Sequence, residues 1–392
     1  MMSGTCSRNG VLKLAFLLLV TGVLSPAVRR VSAQTMPTPS MGGPLALPST
    51  LTYNAGPLGK LNIGGIVSGM GLVQGNWIPG DQSSRWALSN GQLFVEKNSG
   101  WWQFFVQAGA YNIPDLGLPT LPTTDWVNDL YGPVPQGFLK IQPNPKGNFS
   151  IEIGALPTLI GDEYTFDFEN MNIERGLLWN QENAVNRGVQ INDAIGKLSG
   201  SISWNDGFYS NRYTWLTGTL SYAASKSSTI AFIGGGNLGQ TKFQTFATPV
   251  QNNSQIYNVI YTYSHESWVI SPYFQYTHVP TDAKIGIIHG ASTRGGAILL
   301  TYNFRHGFSL PVRGEYISST GNLDESAVNL LYGPGSSAWS FTVTPTYQNH
   351  GFFLRAEFGW VQAMSIAPGD AFGPLGTDKT QPRGVVEAGF IF

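Results

Sequence analysis

The sequence predicts an all-β protein, a closed antiparallel transmembrane β-barrel of about 16 strands. Three observations support this fold class. Charged residues make up 11% of the 392 residues, whereas a typical soluble domain has roughly 25%. The 48 glycines and the 12% of aromatic residues favour strands and turns. Strand-like segments alternate apolar and polar residues, and the connections between them alternate between short and long, as turns and loops of such barrels do.

The first 33 residues have the pattern of a secretory signal peptide. Arg8 and Lys13 precede an apolar segment at 14–24, and a small-residue cleavage site ends at Ala33. The apolar segment is too short to cross a bilayer as a helix, which argues against the alternative of an uncleaved anchor. Residues 34–59 are rich in proline, threonine and glycine and predict a flexible periplasmic leader. The barrel is then expected to occupy residues 60–392.

Charge and cysteine content exclude several functional classes. The only cysteine, Cys6, lies in the predicted signal, so the exported chain is expected to lack disulfides and cysteine-based metal sites. The signal holds four of the 22 basic residues and no acid, which leaves 18 bases against 23 acids and a net charge of −5. The scattered bases argue against nucleic acid as a partner. No apolar run of about 18 residues follows the signal, so no transmembrane helix is predicted.

Sixteen segments have the alternation expected of strands. In residues 198–204 (LSGSISW) large apolar residues share one face and serines the other, and residues 339–347 (WSFTVTPTY) repeat this pattern. Such strands are expected where lipid lies outside a barrel and water inside. Pro272, Pro311 and Pro345 fall inside strand candidates, where each removes a ladder donor. The candidates are residues 60–74, 85–96, 101–111, 136–143, 148–157, 187–193, 196–206, 212–224, 227–237, 254–264, 266–278, 294–305, 308–319, 337–347, 350–362 and 383–392.

Short connections such as 97–100 and 348–350 alternate with long ones such as 157–186. Bacterial barrels have short periplasmic turns, long external loops and both chain ends in the periplasm, so this orientation is expected here. The chain ends in VVEAGFIF, with Phe390 and Phe392 on the outward face of the last strand. This ending resembles the C-terminal signal of outer-membrane barrel proteins, which predicts the barrel-assembly machinery and outer-membrane lipid as partners. An ordinary final strand of a β-sandwich is the alternative.

Charged residues on the predicted strands are expected to face the lumen. A charge on the lipid face costs about 2–4 kcal/mol at the bilayer midplane. The inward face therefore gains a basic wall from three arginines on strands 12, 13 and 15. These are Arg305, Arg313 and Arg355. The other lumen-facing charges are Lys140, Glu152, Glu315, Glu357 and Glu387.

Residues 157–186 form the third long connection and carry six carboxylates against one base, Arg175. The loop also contains ten large apolar residues, which need a surface to pack against. Two arrangements are open: a solvated external loop, or a loop folded into the wide lumen as a pore constriction. In the second, its acids would face the arginines across a narrowed passage and orient polar solutes. The predicted constriction acids are Asp162, Glu163, Asp167, Glu169 and Glu174.

The sequence contains no recognisable catalytic, cofactor-binding or metal-binding constellation. None of the five histidines has the spacing of a metal ligand, and no nucleophile elbow or phosphate-binding loop occurs. We therefore expect no enzyme activity and no cofactor. An outer-membrane barrel hydrolase would need a Ser/His pair on the lipid face near the external rim, and the sequence offers none.

Several motifs resemble those of a known family. A strand ending GALPTLIGDE, the segment FENMNIERGLLW, a strand opening RGVQI and the later SISWNDG resemble the OmpL-like "β-barrel porin-2" group. The motifs cover about residues 136–224. The resemblance implies an outer-membrane porin for passive diffusion. In general trimeric porins the loop between strands 5 and 6 folds inward as the constriction, and 157–186 occupies that position, although it lacks a PEFGGD-like tip.

The sequence thus predicts a porin for small hydrophilic solutes and ions in the bacterial outer membrane. The net charge and the acidic loop favour cations weakly, because the arginines oppose them. By analogy with other 16-stranded porins, a homotrimer is expected. One alternative is a solute-specific channel, for carbohydrates for instance, in which the inward aromatic residues Phe105, Trp215 and Tyr273 stack on sugars. Another is an adhesion barrel with a plugged lumen, which would need more large apolar inward residues.

Overall fold

The computed structural model describes residues 39–48, 50–242 and 249–392, and these form one closed antiparallel β-barrel. The predicted signal peptide, residues 1–33, lies outside the described residues. The strands are β1 (Leu51–Asn54), β2 (Lys60–Gln74), β3 (Ser84–Lys97), β4 (Trp102–Tyr111), β5 (Gln136–Ile141), β6 (Ser150–Pro157), β7 (Val185–Ile195), β8 (Leu198–Asn205), β9 (Trp215–Ala223), β10 (Ser228–Asn237), β11 (Gln255–His265), β12 (Trp268–Val279), β13 (Ala291–Asn303), β14 (Phe308–Ser319), β15 (Ser337–Val343), β16 (Thr346–Asn349), β17 (Phe352–Met364) and β18 (Thr380–Ile391).

The barrel has 16 staves, or wall strands, as predicted. β15 and β16 are two parts of one strand, and the four-residue β1 pairs with β2 alone and is not a stave. Both β15 and β16 pair with β14 on one side and with β17 on the other. The interruption falls at Pro345, which has no backbone N–H for the ladder. Pro272 and Pro311, in contrast, are accommodated within β12 and β14. The barrel closes where β18 pairs with β2, from Arg383 opposite Gln74 to Ile391 opposite Ile66.

Part of the predicted leader is ordered. Residues 51–54 form β1, which pairs with residues 60–63 of β2. Residues 39–48 lie inside the barrel at the end with the short turns, where Leu45 is buried against the inner wall. The structure therefore differs from a free leader over these residues. Residues 39–48 form hydrogen bonds with the barrel in place of bonds with water. A proline-rich composition alone does not indicate such bonds.

Side chains alternate between the two faces of the wall as the sequence pattern predicts. On β8, Ile202 and Trp204 are exposed on the outer face, whereas Ser203 between them is buried. On β18, Phe390 is 60% exposed and Glu387 is fully buried. The terminal Phe392 is 41% exposed, and its backbone N–H donates to the carbonyl of Gly65, which secures the barrel seam.

The interior is filled to a large extent by the connection between β6 and β7. Short helical turns occur in the connections, at Gly56–Leu58, Thr123–Asp125, Trp126–Leu130, Asp167–Glu169, Trp179–Gln181, Pro249–Asn252 and Ala283–Ile285. Within the described ranges, no helix has both the length and the apolar character needed to cross a membrane. Loops at the other end of the barrel pack over this connection. The backbone N–H of Leu116, for example, donates to the carbonyl of Arg175 at 3.0 Å.

Candidate functional site

The predicted insert 157–186 lies inside the barrel. Because β6 ends at Pro157 and β7 begins at Val185, the connection proper is residues 158–184, which we call the lumen loop. From residue 165 to residue 184 every residue but Asn180 is buried. A loop of this length can be buried only if its polar backbone groups find partners, and the barrel wall supplies them.

Apolar side chains hold the lumen loop against the wall. Phe166 and Phe168 are both fully buried, with ring centroids 5.2 Å from Tyr111 and 5.7 Å from Phe94 respectively. Leu177 and Leu178 pack into a second cluster with loop residues at the long-loop end. Full burial of side chains of this size stabilises by roughly 1.5–3 kcal/mol each. These residues are the reason that the loop folds inward.

Arg313 on β14 is the centre of the contact between the loop and the wall. Its guanidinium lies 2.6 Å from the carboxylate of Glu163 and 3.2 Å from that of Glu315. It also donates to the backbone carbonyl of Glu174 at 2.7 Å. Arg313 is fully buried, so the ion pairs form out of contact with water. A buried charge is tolerated when such partners surround it.

Two wall carboxylates bind the loop backbone. Glu357 on β17 accepts hydrogen bonds from the backbone N–H groups of Ile173 and Glu174 at 2.5 and 3.0 Å. Glu315 on β14 accepts from those of Leu177 and Leu178 at 3.0 and 3.3 Å. These bonds satisfy four backbone donors that a buried, irregular segment would otherwise leave unpaired. The wall carboxylates therefore determine the path of the loop.

Arg355 on β17 binds backbone carbonyl groups of the lumen loop. It donates to the carbonyl oxygens of Asp167, Asn170 and Met171 at 2.9–3.0 Å. Its guanidinium lies 3.6 Å from Glu387, which accepts from the hydroxyl of Ser89. Arginine suits this role because its planar group offers several donors in fixed directions.

Two arginines in this network are not among the predicted site residues. Arg383 on β18 forms an ion pair with Glu174 at 2.7 Å and donates to the carbonyl of Asp115. Arg175, in the loop itself, pairs with the carboxylate of Asp115 at 2.9 Å. The alternation of β18 places Arg383 on the same face as Glu387, so this signal could have identified it. The pairing of Arg175 links two loops distant in sequence and has no local signal.

The structure changes the predicted arrangement in two respects. Glu163 and Glu174 are in direct contact with Arg313 and Arg383, so these loop acids do not face arginines across a passage. Arg305 does not belong to the basic wall, because β13 ends at Asn303 and Arg305 lies exposed in the turn that follows. In a turn the alternation of a strand no longer applies, so the inward assignment fails there. Among the described residues, Asp167 accepts from the side-chain amide of Asn90 and Glu169 from backbone N–H groups, and neither carboxylate forms an ion pair with an arginine.

The side of the lumen loop away from β14, β17 and β18 borders an open space. A cavity of about 280 Å³ separates residues 157–164 from the inner face of β5–β11. Its wall is rich in small polar residues of β7–β11. They include Asn192, Ser199, Ser201, Thr219, Ser221 and Thr262. Glu152, Asp162, Glu163 and Asp193 also line it, and the described lining residues include no lysine or arginine. Lys140 on β5 lies next to the cavity wall. It is opposite Glu152 of β6 in the strand pairing, and its ammonium group lies 3.8 Å from the Glu152 carboxylate.

Burial changes the proton affinity of the loop acids. It raises the pKa of Asp162 to about 6, against which a hydrogen bond with Ser271 acts. Burial raises the pKa of Glu163 to about 7 in spite of the attraction of Arg313, and that of Glu169 to about 8. The pKa of Glu182 is raised well above its ordinary value, by burial first and then by neighbouring acids. Asp162 is the half-buried acid among these and borders the cavity.

The inward aromatic residues of the sequence prediction are packed. Trp215 is fully buried, lies 5.4 Å from Phe208 and donates its indole N–H to the carbonyl of Asn252. Phe105 and Tyr273 are also buried in the two clusters. Aromatic residues that border the cavity are Phe138 and Tyr164. Among the residues described, no group of three or more His, Cys, Asp or Glu side chains is placed to hold a metal ion.

Comparisons with known proteins agree with this architecture. The anion-selective porin from Comamonas acidovorans superposes with a TM-score of 0.58 at 11% identity, over 85% of this chain and 99% of that one. OmpT of Vibrio cholerae superposes with a TM-score of 0.57 at 11% identity, over 88% of this chain and 100% of that one. The outer-membrane channel DcaP of Acinetobacter baumannii superposes with a TM-score of 0.56 at 11% identity, over 88% of this chain and 100% of that one. Identities this low show a shared fold. No curated protein matches the sequence.

The family comparison covers the whole barrel. Residues 60–392 match the sequence model of the family described as "Putative beta-barrel porin-2, OmpL-like". The matched range begins at β2 and ends with the last residue, so it includes every stave and the lumen loop. The chain therefore belongs to this porin family, and it is a bacterial outer-membrane channel for passive diffusion.

Proposed function

We propose that small hydrophilic solutes and ions cross the barrel through the cavity between the lumen loop and β5–β11. The observation that carries this is the division of the lumen: the loop is bonded to the wall of β14, β17 and β18, and the cavity lies on its other face. Hydroxyl and amide groups on the cavity wall can replace part of the water around a polar solute. An apolar solute would gain no such replacement.

The cavity favours cations. Four carboxylates border it, and its described lining contains no basic residue. Two of these acids are paired, Glu163 with Arg313 and Glu152 with Lys140. Asp162 and Asp193 have no ion pair with another described residue, and they carry the cation preference. A carbohydrate-specific channel is less well supported, because Trp215 and Phe105 are packed and cannot stack on a sugar.

The short turns face the periplasm in this proposal, with both chain ends on that side. The first stave, β2, begins at the rim of the barrel that has the short turns, and the last stave, β18, ends at the same rim. Other bacterial barrels have the same arrangement. A homotrimer is consistent with OmpT of Vibrio cholerae, of which a trimer form is known. Outer-membrane lipid would cover the apolar outer face, and the barrel-assembly machinery would recognise the final strand with Phe390 and Phe392.

Planar-bilayer recordings of the purified protein test the path. The wild type is expected to conduct, and Thr219→Trp should reduce its single-channel conductance by at least about half, because the indole would fill the passage. Thr219 borders the cavity, whereas its neighbour Leu220 is exposed on the outer face. Leu220→Trp is thus the matched control and should conduct like the wild type. A wild type without conductance would refute the channel, and equal conductance of both variants would refute this path.

A further inference from the structure

Residues 39–48 form a short strap inside the barrel, on the side of the lumen loop that faces the short turns. The backbone N–H of Ser40 donates to the carboxyl of Glu169 at 2.9 Å. The N–H groups of Gly42 and Gly43 both donate to the carbonyl oxygen of Glu169 at 2.8 Å. Three backbone donors of the strap therefore converge on one residue of the lumen loop.

The other end of the strap is bonded to β16, near the end of that strand. The side-chain amide of Gln348 accepts from the backbone N–H of Ala46 and donates to its carbonyl, both at 2.8 Å. Between the two attachments, Leu45 is 2% exposed and packs with Phe105 and Phe353 of the inner wall. The strap is thus anchored at both ends and in the middle.

Two glycines allow the strap to approach the loop this closely. A Cβ atom on Gly43 would lie 2.0 Å from the backbone oxygen of Asn170, a contact that real side chains do not make. A Cβ atom on Gly42 would lie 2.2 Å from the ring of Tyr164. Tyr164 in turn borders the cavity that we assign as the path. The strap supports the loop from behind at the point where the loop narrows the lumen.

We propose that the strap 39–48 is a latch that holds the lumen loop in its narrowing position. This inference rests on the proposed function, because it assigns the strap an effect on the path through the cavity. Release of the strap would remove three hydrogen-bond donors from Glu169 and the packing behind Tyr164. Residues 164–170 would then lose support on one side and the passage would widen. Residues 39–48 of the predicted periplasmic leader are then a functional part of the channel.

The test combines two measurements on the full chain in a Cys6→Ser background. Gly43→Val should displace the strap, because its side chain would collide with the loop backbone. The single-channel conductance in planar bilayers should then rise by roughly twofold, since conduction increases with the open cross-section. Gly314→Val is the matched control, because a Cβ atom at this β14 position meets nothing within 4 Å. Its conductance should equal that of the wild type.

Displacement is measured independently with Leu45→Cys and a polar maleimide. The thiol should be protected when the strap is seated and should react when Gly43→Val is added. A reactive thiol with unchanged conductance would overturn the latch while leaving the channel intact. A protected thiol in the double variant would also overturn it, because the strap would not occupy the position on which the proposal rests.

Conductance and labelling together also distinguish two further outcomes. If Gly43→Val fails to fold, Gln348→Ala replaces it, since this change removes the attachment to β16 and leaves the lumen loop unaltered. It should accelerate labelling of the thiol and raise conductance in the same direction, and no change in either would overturn the proposal. If the wild type itself does not conduct, the proposed function fails, whereas the labelling still reports whether the strap is seated.

Discussion

Arg313→Met is expected to lower the free energy of unfolding of the barrel by about 3–5 kcal/mol, which is typical when one partner of a buried ion pair is removed. The substitution keeps much of the side-chain length but leaves Glu163 and Glu315 buried beside each other without the guanidinium between them. It also removes the donor to the carbonyl of Glu174. Denaturant titration in detergent micelles measures the change in stability.

The barrel can avoid this cost in one way, by releasing the lumen loop into water. Release would raise the single-channel conductance, so the two measurements together distinguish a strained loop from a detached one. Arg305→Met is the matched control, because Arg305 has the same charge but is exposed in a turn. It should change neither quantity measurably, since surface charges contribute about 0–1 kcal/mol. Equal behaviour of the two variants would contradict the role of Arg313.

The architecture of the barrel could be predicted from the sequence because its signals are local. Alternation with a period of two places Ser203 inside and Trp204 outside without knowledge of any other strand. The alternation of short and long connections then determines the order of the staves. The break at Pro345 shows the limit of this reasoning. Three prolines have the same sequence signal, and only the pairing partners decide which of them interrupts its strand.

The interior could be predicted only in part. The loop between β6 and β7 contains both acids and large apolar residues, which indicates a need for burial but not a partner. Parity places Arg313 and Glu357 on the inner face, yet it cannot show that they bond to the loop instead of facing it across water. That outcome depends on the backbone of Ile173 and Glu174, whose N–H groups reach Glu357. The side of the lumen that stays open follows from these long-range bonds.

Asp162→Asn is expected to lower the cation-to-anion permeability ratio by about tenfold or more, because the charge attracts cations and repels anions by the same energy. A unit charge at 4–6 Å from a hydrated ion contributes roughly 0.7–1 kcal/mol at the dielectric constant of water. Asp162 borders the cavity and forms no ion pair with another described residue, whereas Glu163 beside it is bonded to Arg313. Asp162 is thus the cleaner substitution, since replacement of Glu163 would also leave Arg313 without a partner. Reversal potentials in a salt gradient measure the ratio.

The pH dependence gives this prediction a second, independent test. Because burial raises the pKa of Asp162 to about 6, its carboxyl is neutral below that pH and negative above it. The cation preference of the wild type should therefore rise between about pH 5 and pH 7, and Asp162→Asn should remove the part of this rise that is centred near pH 6. Asp324→Asn removes the same charge from an exposed loop and should retain the wild-type profile. A profile unchanged by Asp162→Asn would mean that ions do not pass Asp162, and the path through the cavity would have to be abandoned.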